Sequence, residues 1–399
     1  MTRNQGKFNT LAQNDGIDRL TNNKNHFLLD KVICKVRSPF FSFFPQGWGD
    51  LDLVYSLKKQ LIALGQETEK GILPPQIKMH LSTPEILVSK ECVIQDGSFD
   101  TPCRYADHLP RESLTAYIRI VTPIEWGKRK PESIPTILLL PGTGEVGFKR
   151  RMSVVAQPMA RLGYRTIMLE GPYYGLRRPK DQYGCHLRHV SDLPLLGCAT
   201  IEEARSLVRW IKETTKGPVA VAGMSMGGLH SSMTASTSPY PLGVISLLGP
   251  PSAVPVFTTG VMSSLIPWEK LQIDAKYIDI ENRIKESSYG PIPDDIDSTQ
   301  QLMTKFLSVT DVENFPCPMC PDGVLFIVAK NDAYIPFQLI ESRMKYICEK
   351  WEGAHIRWVN GGHASTYLFQ MNEFTNSIQE IMGIMKKKED EESIDNAEF

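Results

Sequence analysis

Residues 219–228 read Val-Ala-Val-Ala-Gly-Met-Ser-Met-Gly-Gly, and they constrain the fold more than any other stretch of the chain. Apolar, partly β-branched residues precede Gly223, as in a strand buried on both faces, and the residues from Leu229 to Ser238 can continue as a helix. Between them, Gly223-Met224-Ser225-Met226-Gly227 must turn the chain sharply. A serine at such a turn sits on strained backbone with its hydroxyl presented outward, and glycines two residues to either side let strand and helix approach without a Cβ clash. The pattern alone arises easily by chance in a chain with 29 glycines. Its strand-turn-helix setting is what makes Ser225 a candidate nucleophile.

A nucleophilic serine needs a base, and the base needs an orienting acid. Beyond Ser225, the strand-like run 324–329 leads into Lys330-Asn331-Asp332, and the run 356–359 leads into Asn360-Gly361-Gly362-His363. Ser225, Asp332 and His363 therefore follow the chain order of nucleophile, acid and base used in α/β-hydrolases, each on a loop after a strand. A helix over 336–349 fits between acid and base. Glu170 and Asp192 also stand near strand ends, but only the Asp332 loop directly precedes the helix and strand that deliver His363. Taken singly, Asp332 reads equally as a helix N-cap and His363 as a surface residue. A tetrahedral oxyanion needs two backbone N–H donors. The candidates are the amides of Met226, next after the serine, and Thr143, in the turn Pro141-Gly142-Thr143-Gly144 after the run 136–140; alone, that turn reads as an ordinary one.

Buried strands are expected at 116–121, 136–140, 165–169, 219–222, 244–248, 324–329 and 356–359, alternating with helices. Thr200 and Glu203 form a capping-box pattern for a helix reaching about Thr215, and Tyr367 to Met385 carry helical apolar spacing. This alternation predicts an α/β-hydrolase fold: a mainly parallel, doubly wound sheet covered by helices. Residues 250–322 are too long for a simple crossover and read as a helical lid inserted before the acid strand, with Val256, Phe257, Val261, Met262, Leu265 and Ile266 as acyl-chain contacts or lid packing. A single domain is expected over 26–385, between a disordered segment 1–25, rich in Asn and Gln, and a charged tail 386–399.

With 42% apolar residues the 399-residue chain can bury a large core, and 44 Lys and Arg against 45 Asp and Glu exclude a general affinity for nucleic acid. Basic residues are clustered instead. Lys149, Arg150 and Arg151 follow the oxyanion-loop candidate, and Arg177, Arg178 and Lys180 follow the strand at 165–169. Guanidinium groups there suit a phosphate on the substrate, with solvated surface charge as the competing reading. The 8 cysteines are scattered, and no secretory leader opens the chain, which favours reduced thiols inside a cell. Cys317-Pro-Met-Cys320 lacks the second ligand pair of a structural zinc site, so neither metal nor cofactor is implied. No apolar run reaches the roughly 18 residues of a membrane span. Residues 26–44 combine apolar positions with Lys31, Lys35 and Arg37 and end in Phe40, Phe41, Phe43 and Phe44. They read as an amphipathic segment lying on a membrane or as a helix packed on the domain.

Six stretches, in order, resemble the alpha/beta-hydrolase domain-containing protein 18 family: Gly47-Trp48-Gly49, Pro172-Tyr173-Tyr174-Gly175 with Pro179-Lys180-Asp181-Gln182, 223–228, Val256-Phe-Thr-Thr-Gly-Val261, Asp332-Ala-Tyr-Ile-Pro336 and 361–369. The similarity spans about Phe40 to Phe369. It implies a serine hydrolase with nucleophile Ser225, acid Asp332 and base His363, acting on acyl lipids of the mitochondrion, with cardiolipin-type phospholipids as substrate class. The residues themselves leave thioesterase, acyltransferase and peptidase open, since one triad serves them all. A hydrolase-like scaffold that binds partners without catalysis is the reading from another class; the oligomeric state is not legible.

Overall fold

The central apolar runs become strands covered on both faces, whereas the run 356–359, expected to be buried, lies at the sheet edge and is only half-buried. In the computed structural model, which describes residues 23–37, 42–86, 91–127, 133–280 and 295–395, the strands are β1 (His80–Leu81), β2 (Glu85–Ile86), β3 (Cys92–Asp100), β4 (Thr115–Pro123), β5 (Thr136–Leu140), β6 (Arg165–Leu169), β7 (Val219–Met224), β8 (Gly243–Leu247), β9 (Val324–Ala329) and β10 (His355–Val359). Every residue of β5, β6, β8 and β9 is buried. The strands form one sheet in the order β1-β3-β4-β6-β5-β7-β8-β9-β10, with β2 also on β3. From β6 to β10 all neighbours are parallel, while β3, β4 and β6 pair antiparallel.

The longer helices are α1 (Asn23–Arg37), α2 (Leu51–Glu69), α3 (Asp192–Thr214), α4 (Met226–Ser236), α5 (Trp268–Ile280), α6 (Ile296–Leu307), α7 (Phe337–Lys350), α8 (His363–Phe369) and α9 (Met371–Asp395). Alternate strand residues face opposite layers. Leu138, Leu140 and Val221 pack with Leu196, Ala204 and Ile340 of α3 and α7, whereas Ile137, Leu139 and Ala222 pack with Met159, Phe374 and Ile378, the last two from α9. This is the mainly parallel, helix-covered sheet expected from the sequence.

Three local expectations differ. Helix α3 starts well before Thr200, whose hydroxyl donates to the Leu196 carbonyl inside the helix, while Glu203 turns to Arg177 instead of capping. The apolar spacing from Tyr367 onward is split at Gln370 between α8 and α9, and α9 runs on through the charged tail to Asp395. Strands β1 to β3 went unread because Gln95, Asp96 and Gly97 depress β-propensity, and β3 is held by pairing along its whole length with β4.

At the amino end, α1 packs on α8. Phe43 and Phe44 are buried, each with its ring against Phe257 at 5.7 and 5.6 Å, so these two cannot enter a bilayer as the aromatic end of an interfacial helix would. Phe40 and Phe41 lie outside the described residues, as do residues 1–22 of the segment expected to be disordered. Among the described residues no helix is long and apolar enough to cross a membrane.

Strand register fixes where the site lies. Leu140 pairs with Gly223, Met224 with Leu247, Leu247 with Ile327 and Ala329 with Val359, so the loops after β5, β7, β9 and β10 leave the sheet along one edge. The chain turns from β5 to β6 on one side and reaches β7 on the other, a switch point that opens a crevice at the carboxyl ends of the strands.

Candidate functional site

Ser225 joins β7 to α4 with φ 56° and ψ −121°, a left-handed conformation costly for a residue with a Cβ. The flanking glycines are sterically required. A Cβ at Gly223 would land on the Gly227 carbonyl, and one at Gly227 would lie 2.6 Å from the Leu140 oxygen and 2.9 Å from that of Pro141. The Ser225 amide donates to Leu247 O (2.8 Å), which pins the turn to the next strand.

Asp332 follows β9 and is buried. Its Oδ1 accepts from the Tyr334 and Ile335 amides (2.8 and 2.9 Å), and its Oδ2 lies 2.7 Å from His363 Nδ1. The carboxylate is locked by its own loop, so the imidazole must adapt to it. His363 opens α8, 12% exposed, with Tyr334 stacked obliquely at 4.9 Å. Glu170 and Asp192 are engaged elsewhere: Glu170 accepts from the Gly147 amide (3.0 Å), with burial pushing its carboxyl up, and Asp192 accepts from the Arg188 and His189 amides (3.2 and 3.1 Å).

Ser225, Met226 and Thr143 line one open cleft. Met226 is the first residue of α4, where amides lack intrahelical acceptors. The cleft continues between α3 and α4 past Gly197, Leu229 and Met233, and Val256 and Phe257 close its side. Of the apolar residues expected to meet an acyl chain, Val261, Met262, Leu265 and Ile266 do not line it. His230 does, and sequence reasoning missed it. Burial holds its imidazole down to about 4, hence neutral, and its Nδ1 has no hydrogen-bond partner among the described residues.

The four arginines separate. Arg151 is buried, paired with Glu145 (2.9 Å), and donates to the Leu139 and Leu169 carbonyls (2.6 and 2.8 Å), tying the ends of β5 and β6 together. Glu145 also accepts from the Gly142 amide (3.2 Å), so this pair shapes the loop carrying Thr143. Arg177 is fully buried on Glu203 (2.5 and 2.8 Å) and on the Glu170 and Ser113 carbonyls (2.8 Å each). The expectation that Arg151 and Arg177 bind substrate is therefore corrected: their forks are consumed by the framework. Arg178 is exposed; Arg150 is exposed too, its guanidinium 3.5 Å over the Tyr367 ring of α8, the helix that begins with His363.

Cys317 is exposed and Cys320 buried against Met385 Sδ (3.5 Å). The described group with metal-ligand proximity is instead Cys103, Cys198 and Glu202, whose ligand atoms lie within 4.8 Å of one another. The hydrogen bond with Cys103, then burial, holds the Cys198 thiol well above its usual range, and it donates to Glu202 (3.3 Å).

A strained serine between strand and helix, on a parallel sheet with a carboxylate two strands away paired to a histidine three strands away, defines the α/β-hydrolase class of fold. The chain belongs to the family described as alpha/beta hydrolase domain containing 18, whose model matches residues 41–383. Among solved structures it is similar to an acetyl xylan esterase from Paenibacillus sp. R4, at 14% identity over 84% of this chain and 97% of that one, with a TM-score of 0.50. A ligand-bound form of the rice cell wall degrading esterase LipA from Xanthomonas oryzae matches at 13% identity over 78% and 99%, with a TM-score of 0.47. At such identity the first likeness speaks for the fold.

Proposed function

We propose that the protein is a serine hydrolase that cleaves an acyl ester of a lipid through a Ser225-His363-Asp332 acyl-enzyme mechanism. The observation that carries this reading is the 2.7 Å contact of a buried, loop-locked Asp332 with His363, at the sheet edge where Ser225 stands on strained backbone. Asp332 holds the imidazole tautomer through Nδ1, leaving Nε2 to take the Ser225 proton. The Thr143 and Met226 amides receive the oxyanion, and water then releases the acyl group from Ser225.

The apolar cleft between α3 and α4 takes the acyl chain, and residues 250–322 serve as its lid. Arg150 and Arg178, the two arginines left exposed, meet the headgroup phosphate of an anionic phospholipid, for which the family resemblance favours the cardiolipin type. The membrane is met peripherally; eight cysteines outside any disulfide fit a reducing compartment, and the mitochondrion rests on the resemblance alone.

A fluorophosphonate probe tests the reaction class. The native chain should be labelled and should turn over a short ester, and Ser225→Ala should lose both. Unchanged turnover in Ser225→Ala would discard the mechanism and leave a non-catalytic scaffold as the reading to pursue.

A further inference from the structure

Helix α1 buries two polar side chains: its buried positions are His26, Asp30 and Cys34, flanked by half-buried Leu29 and Ile33, whereas Phe27, Leu28, Val32 and Val36 are exposed beside Lys31 and Lys35. An apolar helix face ordinarily drives packing, so the buried polar side chains must gain something specific. Asp30 supplies it. This carboxylate is fully buried, and its partners among the described residues are backbone amides of two different loops. Oδ2 accepts from Ala333 N (3.0 Å) and His363 N (2.9 Å), and Oδ1 accepts from Ala364 N (2.7 Å). His26 Nδ1 adds a tie to Ser365 Oγ at 2.8 Å.

We infer that Asp30 is a positioning residue for the acid-histidine pair, fixing the Asp332 loop and the His363 loop against each other through one shared carboxylate. The inference rests on the roles given above to Asp332 and His363. Ala333 is the residue after Asp332, so the amides of that loop are divided: Ala333 binds Asp30, and Tyr334 and Ile335 bind Asp332 itself. His363 is held twice as well, by its side chain on Asp332 and by its backbone on Asp30. The result is a closed ring of contacts in which neither loop can shift alone. Gly362 is part of the fit, since a Cβ there would lie 2.8 Å from Asp30 Oδ2. Burying a carboxylate is costly unless its oxygens are saturated, and here that saturation is spent on the two loops that carry the chemistry.

Asp30→Asn keeps the shape but turns one acceptor oxygen into a donor facing amide donors. The expected result is a fall in kcat of about 10²-fold with KM changed less than about twofold, because misplacement near 1 Å costs that much. Labelling by the fluorophosphonate should slow in parallel, and combination with Asp332→Asn should cost less than the product of the single losses. Cys34→Ala, one turn on along the same buried face, where the thiol donates to Val261 O (3.7 Å), should lower the melting temperature and leave kcat intact. Gly362→Ala presses on the carboxylate from the His363 loop while leaving the side chains of α1 unaltered, and should reproduce the kcat loss, which keeps the test open if Asp30→Asn does not fold. If Asp30→Asn or Gly362→Ala lowers stability as Cys34→Ala does while kcat stays native, Asp30 only anchors the helix and the inference fails. Failure of the hydrolase reading shows separately, as full activity of Ser225→Ala with Asp30 intact.

Discussion

At the scale of single residues, burial decides which charged groups are free to meet a ligand. Arg177 and Arg178 are neighbours in sequence and opposites in the fold: one saturates Glu203 with no exposure, the other stands in solvent. Arg177→Ala should therefore destabilise the chain by about 3–5 kcal/mol, because Glu203 is left buried and unpaired. Arg178→Ala should cost less than about 0.5 kcal/mol; urea unfolding of the two variants checks the contrast, and equal midpoints would contradict it. His230 gives a pH signature. Folded, it resists protonation down to about 4, while an exposed imidazole takes a proton near 6.5. Between those values the unfolded chain binds a proton that the folded one refuses, so this contribution is whole above about 6.5 and is lost as the pH falls toward about 4. His230→Leu should flatten the loss of stability on acidification from pH 7 to 4.5, and parallel curves for variant and native chain would assign the effect elsewhere.

At the scale of elements, the proposed seating of an acyl chain between α3 and α4 predicts a limit on its length. Gly197 leaves room for the His230 ring, with a hypothetical Cβ only 3.2 Å from Nε2, and Met233 lines the channel two turns beyond the serine. At about 1.5 Å per residue, Met233 lies roughly 12 Å along the helix from Ser225. Met233→Trp should leave butanoate ester turnover within about twofold and lower kcat/KM for decanoate or longer chains at least 10-fold. A uniform loss over a chain-length series would place the acyl group in another channel, such as one formed by residues 250–322.

At the scale of the whole molecule, a formal charge of −1 gives no general attraction to anionic surfaces, so any preference must come from local groups. Arg150→Glu with Arg178→Glu should lower hydrolysis of an anionic phospholipid about 10-fold more than that of a neutral short ester. The difference should shrink with added salt, since exposed charges are screened over about 8 Å at physiological ionic strength. Equal losses on both substrates would remove the phosphate from the reading and leave a hydrolase of unknown ester specificity.

The sequence by itself determined the parallel core and the turn at Ser225, because both are local. β-branched apolar runs specify buried strands, and the glycines around Ser225 are demanded by contacts within a few residues of it or with the strand next door. Chain order was enough to bring Asp332 and His363 forward as partners. It could not tell Arg177 from Arg178, or Arg151 from Arg150, because a guanidinium is buried or exposed according to what the sheet and α3 place beside it. It gave no sign of Asp30, one acidic residue in an apolar segment, whose partners lie some three hundred positions away. Only the tertiary structure decided that α1 buries Asp30: a buried carboxylate is tolerated where amides converge on it, and that convergence exists only once β9 and β10 stand side by side.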